Sequence, residues 1–338
     1  MRLYQEILDK SKSVDSEFEN ISDFDLNNVK IVFPVPKFHP RSKEISKYVY
    51  SSVSLEDLPK TEIYNLTKNQ VFIIDNSVSQ LEFVRKFTEE NEIKSIILKS
   101  IENEVKTKSF VDNLIQQHSL DKTKDVTLVV IGGGLLLNVA AYIAERISTN
   151  FVQLPSTVLS MADSPGGKVR VNFLNENRAY KHFYKSFYEP NVMFLEDRFL
   201  DSLPEKQIKI GLVEIIKHGL FQSPKLYDFL LNSGRELFKD KQKLKKAILW
   251  AVNLKKVCLD IDVEENENGS RKILRGGHDF SDRIEEDERL SIPHGIAVAI
   301  GIIKQLEMEQ EKQLLDKAKK IFDLFDIPYS VESFNNWN

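Results

Sequence analysis

A single cysteine in 338 residues, Cys258, leaves this chain no means of building an internal disulfide framework. That count fits a reducing, cytoplasmic compartment. The setting of Cys258 between Val257 and Leu259 in a helical stretch predicts a buried structural thiol. No charge of one sign dominates either: 47 Lys and Arg face 51 Asp and Glu, for a formal net charge of -4. Both signs are mixed along the chain, so the basic stripe of a nucleic-acid binder is missing and no such partner is expected. The opening stretch MRLYQEILDKSKSVDSEFEN is polar and acidic, and lacks the apolar core of a signal peptide. Repeats and low-complexity linkers are absent.

One long apolar run exists. Val126 to Ala144, VTLVVIGGGLLLNVAAYIA, has about nineteen residues, near the length that crosses a bilayer. Three consecutive glycines and Asn138 interrupt it, so a buried strand, a glycine turn and a buried helix explain it better, and no membrane partner is expected.

What is present is the balance of an ordinary globular protein, 41% hydrophobic and 29% charged residues, at a length that suggests two domains or one large domain with an appendage. The first sixty residues are hard to read; KIVFPVP (30–36) and SKYVYSSV look like strands. From Gln70 the rhythm is plain. VFIID, SIILK, TLVVI and FVQLP read as strands, separated by the helical patterns SQLEFVRKFTEEN, KTKSFVDNLIQQ and GGGLLLNVAAYIAERI. Strands alternating with helices mean crossover units and a parallel sheet. KVRVNF (168–173) and VMFLE (192–196) add strand-like pieces. After Asp197 helical periodicity takes over, in 205–221, 225–231, 241–263, 294–311 and 314–325, with ENENGSR (265–271) as a loop. The expected fold is therefore an α/β domain with a parallel, Rossmann-like sheet over 1–196, followed by an all-α domain over 197–338.

Two places carry chemistry. TLVVIGGG puts Gly132, Gly133 and Gly134 straight after a buried strand, where a backbone without Cβ atoms and a helix N-terminus suit a pyrophosphate. It is not the GxGxxG fingerprint, and packing alone also explains such glycines. The second place is GLVEIIKHGL (211–220), where Glu214 shares a helix face with Lys217 and His218. Further on, RGGHDFSDRIEE and SIPHGIAVAIG carry His278 and His294. Two imidazoles and a carboxylate suit a catalytic zinc with open positions; surface or hydrogen-bonded histidines are the plainer reading.

Taken together, IGGG (131–134), FVQLPST (151–157), DSPGGK (163–168), GLVEIIKHGL, GHDFSDRIE (277–285) and HGIAVAIG (294–301) resemble dehydroquinate synthase and the wider sugar phosphate cyclase family. The likeness runs from about Val71 to Phe325, and His278 and His294 keep the family's spacing of sixteen. The resemblance implies Zn2+ or Co2+ held by Glu214, His278 and His294. It implies NAD at Gly132, Gly133, Gly134, Asn138 and Thr157. It implies substrate-site roles for Asp163, Lys168, Lys217, Lys255, Arg271 and Arg275, with Asp163 and Lys255 orienting ring hydroxyls. The activity implied is that of a lyase: phosphate elimination and intramolecular aldol closure of a heptulose phosphate, a small phosphorylated sugar, to a carbocycle. A homodimer is implied as well. An NAD-dependent polyol or glycerol-phosphate dehydrogenase and a non-catalytic relative are the alternatives.

The chain departs from the family pattern at several points. GGGVxGD appears as GGGLLLN, with Leu137 and Asn138 for Gly and Asp. The second His of GHxxxH is Asp282, and Arg275 replaces an Asn, able either to bind an anion or to pair with Asp282. DSPGGK is one residue short. The longer stretch that follows aligns either Lys181 and His182 or Asn177 and Arg178 with family positions. FNNWN ends the sequence before a segment that carries a substrate-binding lysine in the family.

Overall fold

The computed structural model describes residues 2–35, 47–61, 69–123, 125–175, 178–287 and 291–337. Pro36 and Asn177, both invoked above, lie outside them. The chain divides into two units, one of residues 28–202 and one made of residues 1–27 together with 203–338.

The 28–202 unit begins with β1 (Lys30–Pro34), β2 (Lys47–Ser52) and β3 (Asn69–Asp75). After α1 (Arg2–Asn20) and α2 (Asp23–Asn27), which precede it in the chain, come α3 (Asn76–Ser79), α4 (Glu82–Glu90) and β4 (Ser95–Leu98). Then follow α5 (Glu102–Val105), α6 (Lys108–Gln117), β5 (Val126–Gly132), α7 (Gly134–Ile147), β6 (Asn150–Pro155) and α8 (Val158–Asp163). The unit closes with β7 (Lys168–Asn175), β8 (Arg178–Phe187), β9 (Val192–Leu195) and α9 (Arg198–Ser202). Seven strands form one sheet in the order β1-β2-β9-β6-β5-β3-β4. All its neighbours are parallel except β1 and β2, which are antiparallel. All seven residues of β5 are buried, as befits a strand with neighbours on both edges and cover on both faces. Val130, Leu136, Val139, Ala140 and Ile143 join one apolar core, which includes Leu137. β7, expected as KVRVNF, and β8, which no apolar alternation marks, form a separate antiparallel hairpin. There Tyr184 and Ser186 donate hydrogen bonds to the Glu145 carboxylate on α7.

The apolar run 126–144 is thus half strand and half helix, and among the described residues no helix is long and apolar enough to cross a membrane.

The other unit is helical, with α10 (Glu205–Phe221), α11 (Pro224–Ser233), α12 (Lys241–Ile261), α13 (Arg271–Leu274), α14 (His278–Glu286), α15 (His294–Met308), α16 (Lys312–Phe325) and α17 (Val331–Asn335). Residues 1–27, read from sequence as part of the α/β half, group here because α1 packs on α12. Ile7 shares a buried cluster with Cys258, Ile273 and Leu274. Deeper along α1, the buried Asp15 accepts hydrogen bonds from Trp250 Nε1 at 2.9 Å and from the Ser223 hydroxyl. Buried polar groups need such partners, so these bonds fix the register of α1 on its neighbours.

Candidate metal centre and glycine turn

Three helices deliver the carboxylate and the two imidazoles. Glu214 lies in the middle of α10, a helix whose residues from Ile208 to Leu220 are all buried. His278 opens α14 and His294 opens α15. Each histidine has a glycine beside it, and those glycines set the spacing. Gly277 takes φ 77°, a left-handed value, and a Cβ there would lie 2.6 Å from the Ile302 backbone nitrogen. A Cβ on Gly295 would lie 1.9 Å from the Ile210 carbonyl oxygen, one helical turn before Glu214.

The result is a convergence. One donor atom from each of Glu214, His278 and His294 lies within 4.8 Å of the others. His278 Nε2 is 3.9 Å and His294 Nε2 is 3.6 Å from Glu214 Oε1. That oxygen is buried and has no hydrogen-bond partner, a state that costs free energy unless something else meets it. A tetrahedral cation with bonds of roughly 2.0–2.2 Å holds its ligand atoms roughly 3.3–3.6 Å apart. The donor set and the orphaned oxygen fit such an ion, and His294 Nε2 at 3.6 Å and His278 Nε2 at 3.9 Å need only a small inward shift to reach it. Both Nδ1 atoms face acceptors, Gly276 O at 3.3 Å for His278 and Glu285 Oε1 at 2.8 Å for His294. Both rings therefore carry their proton on Nδ1 and turn the Nε2 lone pair toward Glu214 when neutral.

The electrostatics follow from this crowding. Burial alone would raise Glu214, but the Lys217 ammonium and the two imidazoles hold it well below the usual carboxylate range. Burial pushes His294 down, yet Glu285 and Glu214 outweigh it and raise His294 well above its ordinary value. Lys217 touches the Glu214 carboxylate and donates to Leu274 O at 2.8 Å.

His218, which the helical spacing allowed on the face of Glu214, turns elsewhere. Its Nδ1 donates to Gln222 Oε1 at 2.7 Å, while Gln222 Nε2 donates to Ser11 Oγ and Leu254 O. Burial and the neighbouring Lys217 charge lower His218 to about 4. In an unfolded chain it would titrate near the ordinary value of 6.5. The unfolded chain takes up this proton first, so native stability falls as pH drops from about 6.5 toward 4. The loss is of the order of 3 kcal/mol. Urea unfolding of metal-stripped protein across that range checks this; His218→Gln should flatten the dependence, and an equally steep variant would contradict it.

The remaining candidates in this unit divide. Lys255 is buried on α12. Arg271 and Arg275 both reach Asp279 Oδ1, at 3.3 and 3.1 Å, and Arg275 also meets Asp282 Oδ2 at 2.9 Å. Of the two roles open to Arg275 in the sequence, this geometry displays the pairing with Asp282.

In the 28–202 unit, the glycines end β5 and begin α7, with Gly133 as N-cap and no side-chain cap. β4 lies on one side of β3 and β5 on the other, so strand order reverses between β3 and β5. Open α/β sheets bind ligands at the carboxyl ends of the strands flanking such a point. Asp75 ends β3 there, and a Cβ on Gly132 would lie 3.4 Å from the Asp75 Cβ. The Asp75 carboxylate is held by the Ser77 backbone N–H at 2.8 Å and by the Ser100 hydroxyl. In the sequence its only signal is an acid closing the strand VFIID. A Cβ on Gly134 would meet nothing within 4 Å, so packing does not explain that glycine; one on Gly133 would lie 3.3 Å from Thr157 Cγ2. Thr157 caps α8. Asn138 donates to Gly134 O at 2.9 Å and accepts from the Arg170 backbone N–H at 2.8 Å, bracing α7 against β7. Asp163 ends α8, and Lys168, exposed, begins β7.

Comparison with known proteins bears on both places. The family models described as 3-dehydroquinate synthase N-terminal and C-terminal match residues 95–210 and 211–335. The 3-dehydroquinate synthase of Pelagibacter ubique (strain HTCC1062) is 31% identical over 277 residues, covering 80% of this chain and 67% of that protein. The chain belongs to the 3-dehydroquinate synthase family. Another relative in the 3-dehydroquinate synthase family, from Saccharolobus solfataricus, is 31% identical over 217 residues, 62% of this chain, and is matched over 60% of its own length. The crystal structure of 2-deoxy-scyllo-inosose synthase complexed with carbaglucose-6-phosphate, NAD+ and Co2+ shares the fold. Its TM-score is 0.72 at 21% identity, covering 91% of this chain and 86% of that one. The junction between the two 3-dehydroquinate synthase matches, at residues 210 and 211, falls inside α10, four residues before Glu214.

Proposed function

We propose that this protein is a sugar phosphate cyclase that eliminates phosphate from a heptulose phosphate and closes the product by an intramolecular aldol step to a carbocycle. The observation that carries the reading is the buried Glu214 Oε1, without a hydrogen-bond partner and faced by two imidazole Nε2 atoms. Glu214, His278 and His294 would hold a divalent cation, Zn2+ or Co2+. The glycine turn, with Asp75 and Thr157 beside it, would hold NAD. Bound there, the nicotinamide would supply reversible hydride transfer and the cation Lewis acidity.

The chain's own residues supply position and field. The Lys217 ammonium keeps the Glu214 carboxylate charged and fixes its direction through the Leu274 carbonyl. Asp163 and Lys255 are proposed to orient ring hydroxyls, and Lys168, Lys217 and Arg271 to meet anionic groups. Arg275, tied to Asp279 and Asp282, carries a neutralised acid where the family has a basic residue. Asn138 shapes the turn by bracing α7 rather than by offering its whole amide to a ligand. A cytoplasmic homodimer belongs to the same proposal.

Purified protein incubated with Zn2+ or Co2+, NAD and a panel of heptulose phosphates should release inorganic phosphate with no net accumulation of NADH. Accumulation of NADH on a polyol would replace the proposal with a dehydrogenase. Silence on every sugar by a protein that binds neither metal nor NAD would make it a non-catalytic relative.

A further inference from the structure

We propose that Glu285 is a positioning residue for the candidate cation site, fixing the tautomer and ring direction of His294. The inference rests on the metal reading above and deepens it. Glu285 stands seven residues after His278 on α14, two helical turns along the same face. Its Oε1 is 2.8 Å from His294 Nδ1. A carboxylate only accepts hydrogen bonds, so the contact requires a proton on Nδ1 and leaves Nε2, 3.6 Å from Glu214 Oε1, as the ligating atom.

The Nδ1 atoms of the two histidines face different acceptors. His278 has a backbone carbonyl at 3.3 Å behind it, a longer bond to a neutral acceptor. Its side chain is 13% exposed, whereas that of His294 is 30% exposed and has less packing around it to set its angle. The more exposed ring, His294, thus carries a short hydrogen bond to a charged acceptor. One helix, α14, thereby contributes twice to the centre, directly through His278 and through another residue by way of Glu285. Ligating histidines commonly donate their second N–H to a carboxylate, and losing that partner typically weakens metal binding 10- to 100-fold.

The plainer alternative is an ion pair that only ties α14 to α15. Zinc titration of the metal-stripped full chain against a chromophoric chelator separates the two. So does long-range 1H–15N NMR of the imidazoles, which reports which nitrogen is protonated. Glu285→Leu keeps the bulk and removes the acceptor; its zinc Kd should rise about 10- to 100-fold, and His294 should populate the Nε2–H form. Glu285→Gln keeps an acceptor and loses the charge, so it should fall between the two. If the leucine variant fails to fold, Glu285→Ala decides the matter: a Kd within about twofold of wild type, with His294 still protonated on Nδ1, would count against the role. A folded Glu285→Leu with unchanged Kd and tautomer, beside a His278→Ala that no longer binds, overturns the Glu285 role and leaves the metal reading standing. A wild-type chain that binds no zinc overturns both.

Discussion

Gly295→Ala is expected to cost about 3 kcal/mol of stability, the upper end for an overpacked site and a large share of what a folded domain possesses. The added methyl would lie 1.9 Å from the Ile210 carbonyl oxygen and 2.9 Å from its carbon. These are backbone atoms inside α10 and cannot swing aside as a side-chain tip would. Either α15 retreats or α10 bends, and both motions carry a candidate ligand, His294 on the first and Glu214 on the second. The substitution should therefore lower the denaturation midpoint and weaken zinc binding together. Chemical unfolding of stripped protein measures the first and chelator competition the second. A variant as stable as wild type, with the same zinc affinity, would mean that the approach of these helices is not as close as described.

His278→Ala is expected to abolish stoichiometric zinc binding and, with it, any cyclase activity. The remaining pair, Glu214 and His294, would offer two ligands where a catalytic site uses three. Fold loss is not the expected cause, because His278 sits at the first position of α14 and the helix is anchored by Gly277 and Ser281 beneath it. Circular dichroism and a melting curve close to wild type should accompany the loss. Metal analysis after dialysis decides the point: one zinc per chain retained by the variant would refute the ligand assignment.

How much of this could be read in advance depended on where each segment's apolar contacts lie. α10, α12 and α15 declare themselves because they bury most of their length, so their periodicity is written in their own residues. α1 does not. Among its nineteen residues only Ile7, Ser11, Asp15 and Phe18 are buried, and two of those are polar; its reason for being helical lies in Trp250 and Cys258, far along the chain. α14 is obscure for a similar reason, since HDFSDRIEE buries only Ser281. Its helix therefore hides both the second imidazole's position and the link to Glu285. The β7–β8 hairpin was half visible, as KVRVNF, because its partner strand reads as a basic and aromatic stretch without a clean apolar alternation. For the candidate centre, local spacing joined only Glu214, Lys217 and His218, and in the structure His218 points into the Gln222 network instead. The convergence of Glu214, His278 and His294 became legible only through the order of the six sequence blocks, because three separate helices meet there. Asp75 and Glu285 carried weaker signals: one closes an ordinary strand, the other ends a motif whose histidine draws the eye first.

The helical unit is assembled from both ends of the sequence, with α1 seated on α12. During synthesis α1 emerges about 220 residues before α12 begins, a wait on the order of ten to forty seconds at common ribosomal speeds. Through that interval Ile7 and Phe18 have no native cover, while the intervening 175 or so residues of the other unit can already close their own core. The nascent chain therefore holds α1 in reserve until α12 arrives, and the pocket of Glu214, His278 and His294 can close only after α15 has followed it.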